Sequence, residues 1–106
     1  MPRFFPCPYL GGDVELTDER EDYIRGKHAA LLRPGFDYVA GALESPAEVR
    51  RTEPNARLFV RWYDDLAGGK YVAVSVVEQA GLVRHWIVTA YVARKVTKGV
   101  VEWART

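Results

Sequence analysis

The chain has 106 residues, 48% of them hydrophobic, with a formal net charge of +1, which supports one hydrophobic core and sets the expectation of a single domain over residues 1–106. One cysteine, Cys7, excludes an internal disulfide, and with only two histidines a tetrahedral zinc site would need carboxylates to complete it, so no metal or other cofactor is expected. The longest apolar run, Tyr71 to Val77, contains Ser75 and falls well short of the roughly 18 residues that cross a bilayer, and the Pro-rich stretch Met1 to Leu10 does not read as a secretion signal, so no membrane association and a cytoplasmic location are expected.

Beyond Gly11-Gly12, Val14-Glu15-Leu16 reads as a short edge strand. Asp18 then suits a helix N-cap, with Glu21 three residues on at capping-box spacing, and the helix is expected to run to about Ala30 or Leu32, before Pro34-Gly35. Its apolar residues Tyr23, Ile24, Leu31 and Leu32 suggest one side packed on a sheet. The acids Asp13, Glu15, Asp18, Glu19, Glu21 and Asp22 gather at this helix start, where carboxylates are favoured. A second helix fits Phe36 to Glu44, with Phe36, Val39, Ala40 and Leu43 at i, i+3, i+4 and i+7, and Ser45-Pro46 stops it. Glu48 to Thr52 is a short strand or an extended connection, and Glu53-Pro54-Asn55 is a turn. Three strands follow, Arg57 to Tyr63, Tyr71 to Val77 and His85 to Lys95, joined by Asp64 to Gly69 and by a loop around Gln79 to Leu82. Such short connections imply antiparallel hairpins. The fold class is therefore α+β, with two N-terminal helices packed on one face of an antiparallel β-sheet meander.

A period of two sorts each strand into faces. Leu58, Val60 and Trp62, with Val72, Val74 and Val76, and with Trp86, Val88, Ala90 and Val92, are expected beneath the helices. The opposite face is then expected to collect Arg57, Phe59, Arg61 and Tyr63 with Tyr71, Ser75, His85, Ile87, Thr89, Tyr91 and Lys95. Arg57 and Arg61, four residues apart on a strand, stand about 13 Å apart, a spacing suited to successive phosphates rather than one. Guanidinium forks fit phosphate oxygens, and Phe59, Tyr63, Tyr71 and Tyr91 offer faces on which bases stack. The same set also makes an ordinary amphipathic outer face. The C-terminal part, where Arg84, Arg94, Lys95, Lys98 and Arg105 stand against Glu102, adds positive charge.

Taken together, Pro8-Tyr9-Leu10-Gly11-Gly12, Val14 to Arg20 leading to a helix with His28, Leu43-Glu44-Ser45-Pro46 followed by Glu48 to Arg51, Arg57 through Tyr63, and Ile87-Val88-Thr89-Ala90-Tyr91 resemble the small bacterial and phage-associated members of the barnase/EndoU/colicin/RelE-like nuclease superfamily. The resemblance spans nearly the whole chain. It implies a metal-independent ribonuclease-type fold whose catalytic residues fall on His28, Arg57, Arg61, Thr89 and Tyr91. The aromatic and basic residues Phe59, Tyr63, Tyr71 and Lys95 of the same expected face are then the RNA contacts.

The activity expected on that basis is endonucleolytic cleavage of RNA in which the ribose 2′-OH attacks the neighbouring phosphorus and leaves a 2′,3′-cyclic phosphate. It needs proton transfer at two oxygens and stabilisation of the charge on phosphorus. Arg57 and Arg61 would clamp phosphate, His28 would move a proton, Thr89 and Tyr91 would position phosphate or ribose, and Lys95 would add positive charge. The competing expectation is a non-catalytic RNA-binding or protein-interaction module on the same fold. A toxin-like ribonuclease neutralised by a protein antitoxin is a third.

Overall fold

Thr17 starts the first helix. Its backbone is extended and its hydroxyl accepts a hydrogen bond from the Arg20 amide at 3.2 Å, which satisfies one of the amides that a helix start leaves unpaired. Asp18, expected at the cap, is instead the first helical residue, where with Glu19 and Glu21 it meets the positive end of the helix dipole. The computed structural model describes residues 1–32, 36–79 and 84–105. In it α1 spans Asp18–His28 and tightens into a 3₁₀ turn at Ala29–Leu32, and α2 spans Asp37–Glu44. The expected helix end before Pro34-Gly35 and the loop around Ala80-Gly81-Leu82 lie outside the described residues.

Among the described residues, seven strands form one sheet: β1 (Arg3–Cys7), β2 (Gly12–Leu16), β3 (Glu48–Glu53), β4 (Ala56–Tyr63), β5 (Lys70–Glu78), β6 (His85–Ala93) and β7 (Val100–Ala104), in the order β1-β2-β6-β5-β4-β3-β7. The fold is α+β, and β3 to β6 make the antiparallel meander. Two features depart from expectation. The sheet is mixed, because β2 pairs in parallel with β6, and β2 is therefore an interior strand with β1 outside it. The helices are also not N-terminal to the whole sheet, since β1 and β2 precede them. Both follow from α1 and α2 lying within the crossover that a parallel pair requires.

One face of the sheet carries the helices. Phe59, Val72, Val74, Val76, Ile87 and Ala90 pack there against Ile24, Leu31, Val39 and Leu43, all buried. Each of the larger side chains contributes about 1.5–3 kcal/mol before entropy is subtracted. The valines of β5 thus face the helices as expected, but β4 is turned over. Its register sets Leu58 opposite Ser75, Val60 opposite Ala73 and Trp62 opposite Tyr71, so these residues share the face away from the helices, while Arg57, Phe59 and Arg61 stand opposite Val76, Val74 and Val72.

The reason is the chain after β6. To reach β7 beyond β3, residues 94–99 cross the helix-free face, where Val96 packs on a small core of Leu58, Val60 and Ala73 together with Tyr71 and Tyr91. Arg50 fastens this strap, donating from Nε to the Lys98 carbonyl at 2.7 Å and from Nη2 to the Gly99 carbonyl at 3.1 Å. With both faces of β4 covered, alternation of bulk no longer tells which side faces the helices. A shift of register in β6 inverts its first half in the same way: Ala90 and Thr89 keep their expected faces opposite Val74 and Ser75, whereas Ile87 comes opposite Val76 beneath the helices and Trp86 turns outward opposite Val77.

Candidate functional site

The strand β7 lies against β3 with Trp103 opposite Val49 and Val101 opposite Arg50, which leaves Glu102 as the extra residue of a bulge. The bulge aims its carboxylate toward the helix side of the sheet. There Arg51 of β3 donates from Nε to Glu102 Oε1 at 2.9 Å, Arg57 of β4 donates from Nε to Oε2 at 2.8 Å, and the Tyr9 hydroxyl donates to Oε2 at 2.6 Å. Gly99 makes the approach to this strand: it has φ +78°, and a side chain on it would strike the Arg51 carbonyl. Tyr9 sits in the 3₁₀ turn Pro8–Leu10 and rests edge-on against Phe59, with ring centroids 5.9 Å apart.

Arg57 also faces Glu78 of β5 at 4.0 Å, and Glu78 in turn faces His85 of β6, whose Nε2 lies 3.4 Å away. His85 and Glu78 are direct cross-strand partners. The groups therefore form a row along one end of the sheet, on its helix side: His85, Glu78, Arg57, Glu102 and Arg51, with Tyr9 over the middle. Arg57 and His85 keep 18% and 11% of their side-chain surface, so the row lies at a rim and not in the core. Desolvation raises the Glu102 pKa, but the hydrogen bonds from Tyr9, Arg57 and Arg51 together outweigh it and hold the carboxyl down at about 2. The Tyr9 phenol moves up, through desolvation first and then through its bond to Glu102.

No family model, curated protein or solved structure matches this chain. The site is read from its own geometry.

The residues singled out from sequence do not share one surface. Thr89, Tyr91 and Tyr71 lie together on the helix-free face, where Thr89 is opposite Ser75 and Tyr91 opposite Ala73. Desolvation raises the Tyr91 phenol, with Arg50 opposing. Lys95 is exposed, in the strap beyond β6. Arg57 and Arg61 stand on the other side of the sheet. Arg61 reaches beneath α2, donating from Nη1 to the Gly41 carbonyl at 3.2 Å and covering the Tyr63 ring at 5.0 Å. Tyr63 donates to the Tyr38 carbonyl at 2.9 Å. Phe59 is wholly buried and presents no face for a base. His28 is half-buried at the end of α1, which packs on β6 from the helix side. The expectation of a single active face carrying Arg57, Arg61, Thr89 and Tyr91 is thus corrected by the register of β4, and the sheet itself separates the two pairs.

Of the groups around Arg57, the period of two places only His85 on its face from sequence. Glu78 is the direct cross-strand partner of His85, and Tyr9 sits in the Pro-rich lead-in. Glu102 lies in Val100-Val101-Glu102-Trp103, whose bulk and β-branching mark a strand.

Proposed function

We propose that this protein is a metal-independent endoribonuclease whose site is the row at the sheet rim. The observation that carries this reading is Arg57 held between two carboxylates, Glu102 and Glu78, with His85 on the second of them. Cleavage through a 2′,3′-cyclic phosphate asks for a cation at the phosphate and for groups that accept and deliver protons on either side of it. Arg57 and Arg51 supply the cation as side chains. Glu102 accepts the proton of the attacking 2′-OH: a phosphate oxygen replacing it on Arg57 removes one of the three hydrogen bonds that depress its pKa, so its proton affinity rises as substrate arrives. His85, beside Glu78, delivers a proton to the leaving 5′ oxygen. The resemblance to the barnase/EndoU/colicin/RelE-like nucleases supports the same chemistry, with Arg57 common to both assignments.

Incubation with defined RNAs in EDTA, followed by mass spectrometry of the product ends, tests it. Cyclic phosphate ends are expected, with Arg57→Ala and His85→Ala each slowing cleavage by about 100-fold or more. If His28→Ala and Arg61→Ala abolish cleavage while His85→Ala leaves it intact, the rim is not the site. A second reading, a non-catalytic RNA-binding or protein-interaction module, draws on one observation: a carboxylate held at about 2 by three donors is a weak base. It predicts salt-dependent RNA binding without product.

A further inference from the structure

The two edges of the sheet are not equally closed. At one edge, β1 carries Pro6, which has no N–H to offer a further strand, and Arg3 and the Met1 amino group are tied to Glu21 and Asp18 of α1. At the other, β7 has no proline and, among the described residues, pairs only with β3. All of β7 is exposed, and Val100, Val101 and Trp103 keep 74%, 44% and 38% of their surface. Apolar bulk gathered on an unpaired edge marks a contact surface. Val101 lies opposite Arg50 and Trp103 opposite Val49, so both sheet faces of this edge present it. Trp103 also lines a cavity of about 350 Å³ with Pro8, Tyr9 and Pro46. The bulge turns Glu102 back into the rim, where Arg51 and Arg57 neutralise it, and leaves the edge without negative charge of its own.

We infer that β7 receives an extended acidic segment of a partner protein, added to the sheet as a further strand. Strand addition draws affinity from main-chain hydrogen bonds and specificity from alternate side chains. Charge decides which strand fits. Lys98 stands just before β7 and Arg105 just after it, both exposed and about 20 Å apart by strand rise. Among the described residues Lys98 has no carboxylate partner. Arg105 donates only to the uncharged Ser45 hydroxyl and Pro46 carbonyl, and Glu44, on the same cavity, forms no ion pair with it. A second copy paired antiparallel through β7 would set Lys98 of each chain against Arg105 of the other, and like charges so placed repel. A five-residue edge also falls well short of the roughly 20–30 residues per side of a stable interface between folded proteins. An incoming strand with acids at both ends meets both cations in either direction, while apolar residues between them meet Val101 on one face and Val100 and Trp103 on the other. The inference stands apart from the ribonuclease reading, since no RNA takes part in it.

The probe is the peptide acetyl-Glu-Asp-Val-Thr-Val-Thr-Val-Asp-Glu-amide, titrated into ¹⁵N-labelled protein while the amide signals of residues 100–104 are followed. Two control peptides accompany it, one with lysine in place of every acid and one N-methylated at each central residue. The acidic peptide is expected to bind about tenfold or more tightly than either control, shifting these amides and slowing their hydrogen exchange. Lys98→Glu changes an exposed side chain whose carbonyl, not its ammonium, meets Arg50. It is expected to weaken the acidic peptide about threefold or more and to strengthen the lysine peptide. No binding of the acidic peptide at millimolar concentration overturns the inference. Equal binding of the lysine peptide, or of the N-methylated one, overturns it too, because the contact would then lack either the charge or the main-chain pairing. A dimer of the unaltered protein in sedimentation velocity that Val101→Glu dissociates assigns the edge to a second copy instead.

Discussion

Glu102→Gln keeps the shape of the side chain and removes the charge that Arg51 and Arg57 share. The carboxyl is held at about 2 against an ordinary 4.5, a difference equivalent to about 3 kcal/mol at 1.36 kcal/mol per pKa unit; solvent screening at a rim reduces this to about 1–2 kcal/mol. The folded-state value is the lower one, so this stability is fully present above pH 4.5 and is lost as pH falls toward 2. Urea unfolding at pH 7 should place the variant's midpoint about 1 M below that of the unaltered protein, given a slope of about 1–1.5 kcal/mol per M for a domain of this size. The gap should close between pH 4.5 and pH 2, because the unaltered protein then carries a neutral carboxyl too. An equal deficit at pH 7 and at pH 2 would show that the substitution acts through packing, and no deficit at pH 7 would show that the three hydrogen bonds contribute nothing net. Either result refutes the electrostatic account of the rim.

Gly41→Ala should cost about 1–3 kcal/mol in thermal or urea unfolding, because a methyl group there overlaps the Tyr63 hydroxyl and crowds the Arg61 guanidinium; Tyr63→Phe in the same chain should restore part of the loss, and an unaffected Gly41→Ala would contradict the packing of α2 on β4. Arg50→Ala removes both bonds that fasten the strap, so amide hydrogen exchange across residues 94–99 should quicken with a stability loss of about 1–2 kcal/mol, whereas unchanged exchange would mean that Val96 alone holds it. Desolvation raises the phenols of Tyr63 and Tyr91, so their contribution is complete below pH 10 and falls away as pH rises through the folded-state values. Tyr91→Phe should flatten that alkaline loss, as read from urea midpoints at pH 9 and pH 11.

Local pattern carried much of the fold into view and little of the site. The helices were legible because capping residues, apolar spacing and Ser45-Pro46 act within a few residues of one another; at both starts the cap differs by one residue, Asp18 for Thr17, neighbours of similar capping strength, and Phe36 caps the second helix rather than opening it. The period of two in β4 and β5 was also legible. Which face of β4 meets the helices was not, because Leu58 and Val60 are as buried beneath Val96 as Phe59 is beneath the helices. Arg61 proved no obstacle to the helix side, since the Gly41 carbonyl and the Tyr63 ring receive its guanidinium. Glu102 was out of reach for a different reason: its partners lie 45, 51 and 93 residues away, and only the placement of β7 beside β3 brings them together.

That separation has a consequence for the charge at the rim. Pairing of β7 with β3 is what brings one carboxylate to both guanidinium groups. A chain in which β7 is undocked leaves Arg51 and Arg57 without Glu102, so the last strand is a charge-neutralising clasp as well as a sheet edge.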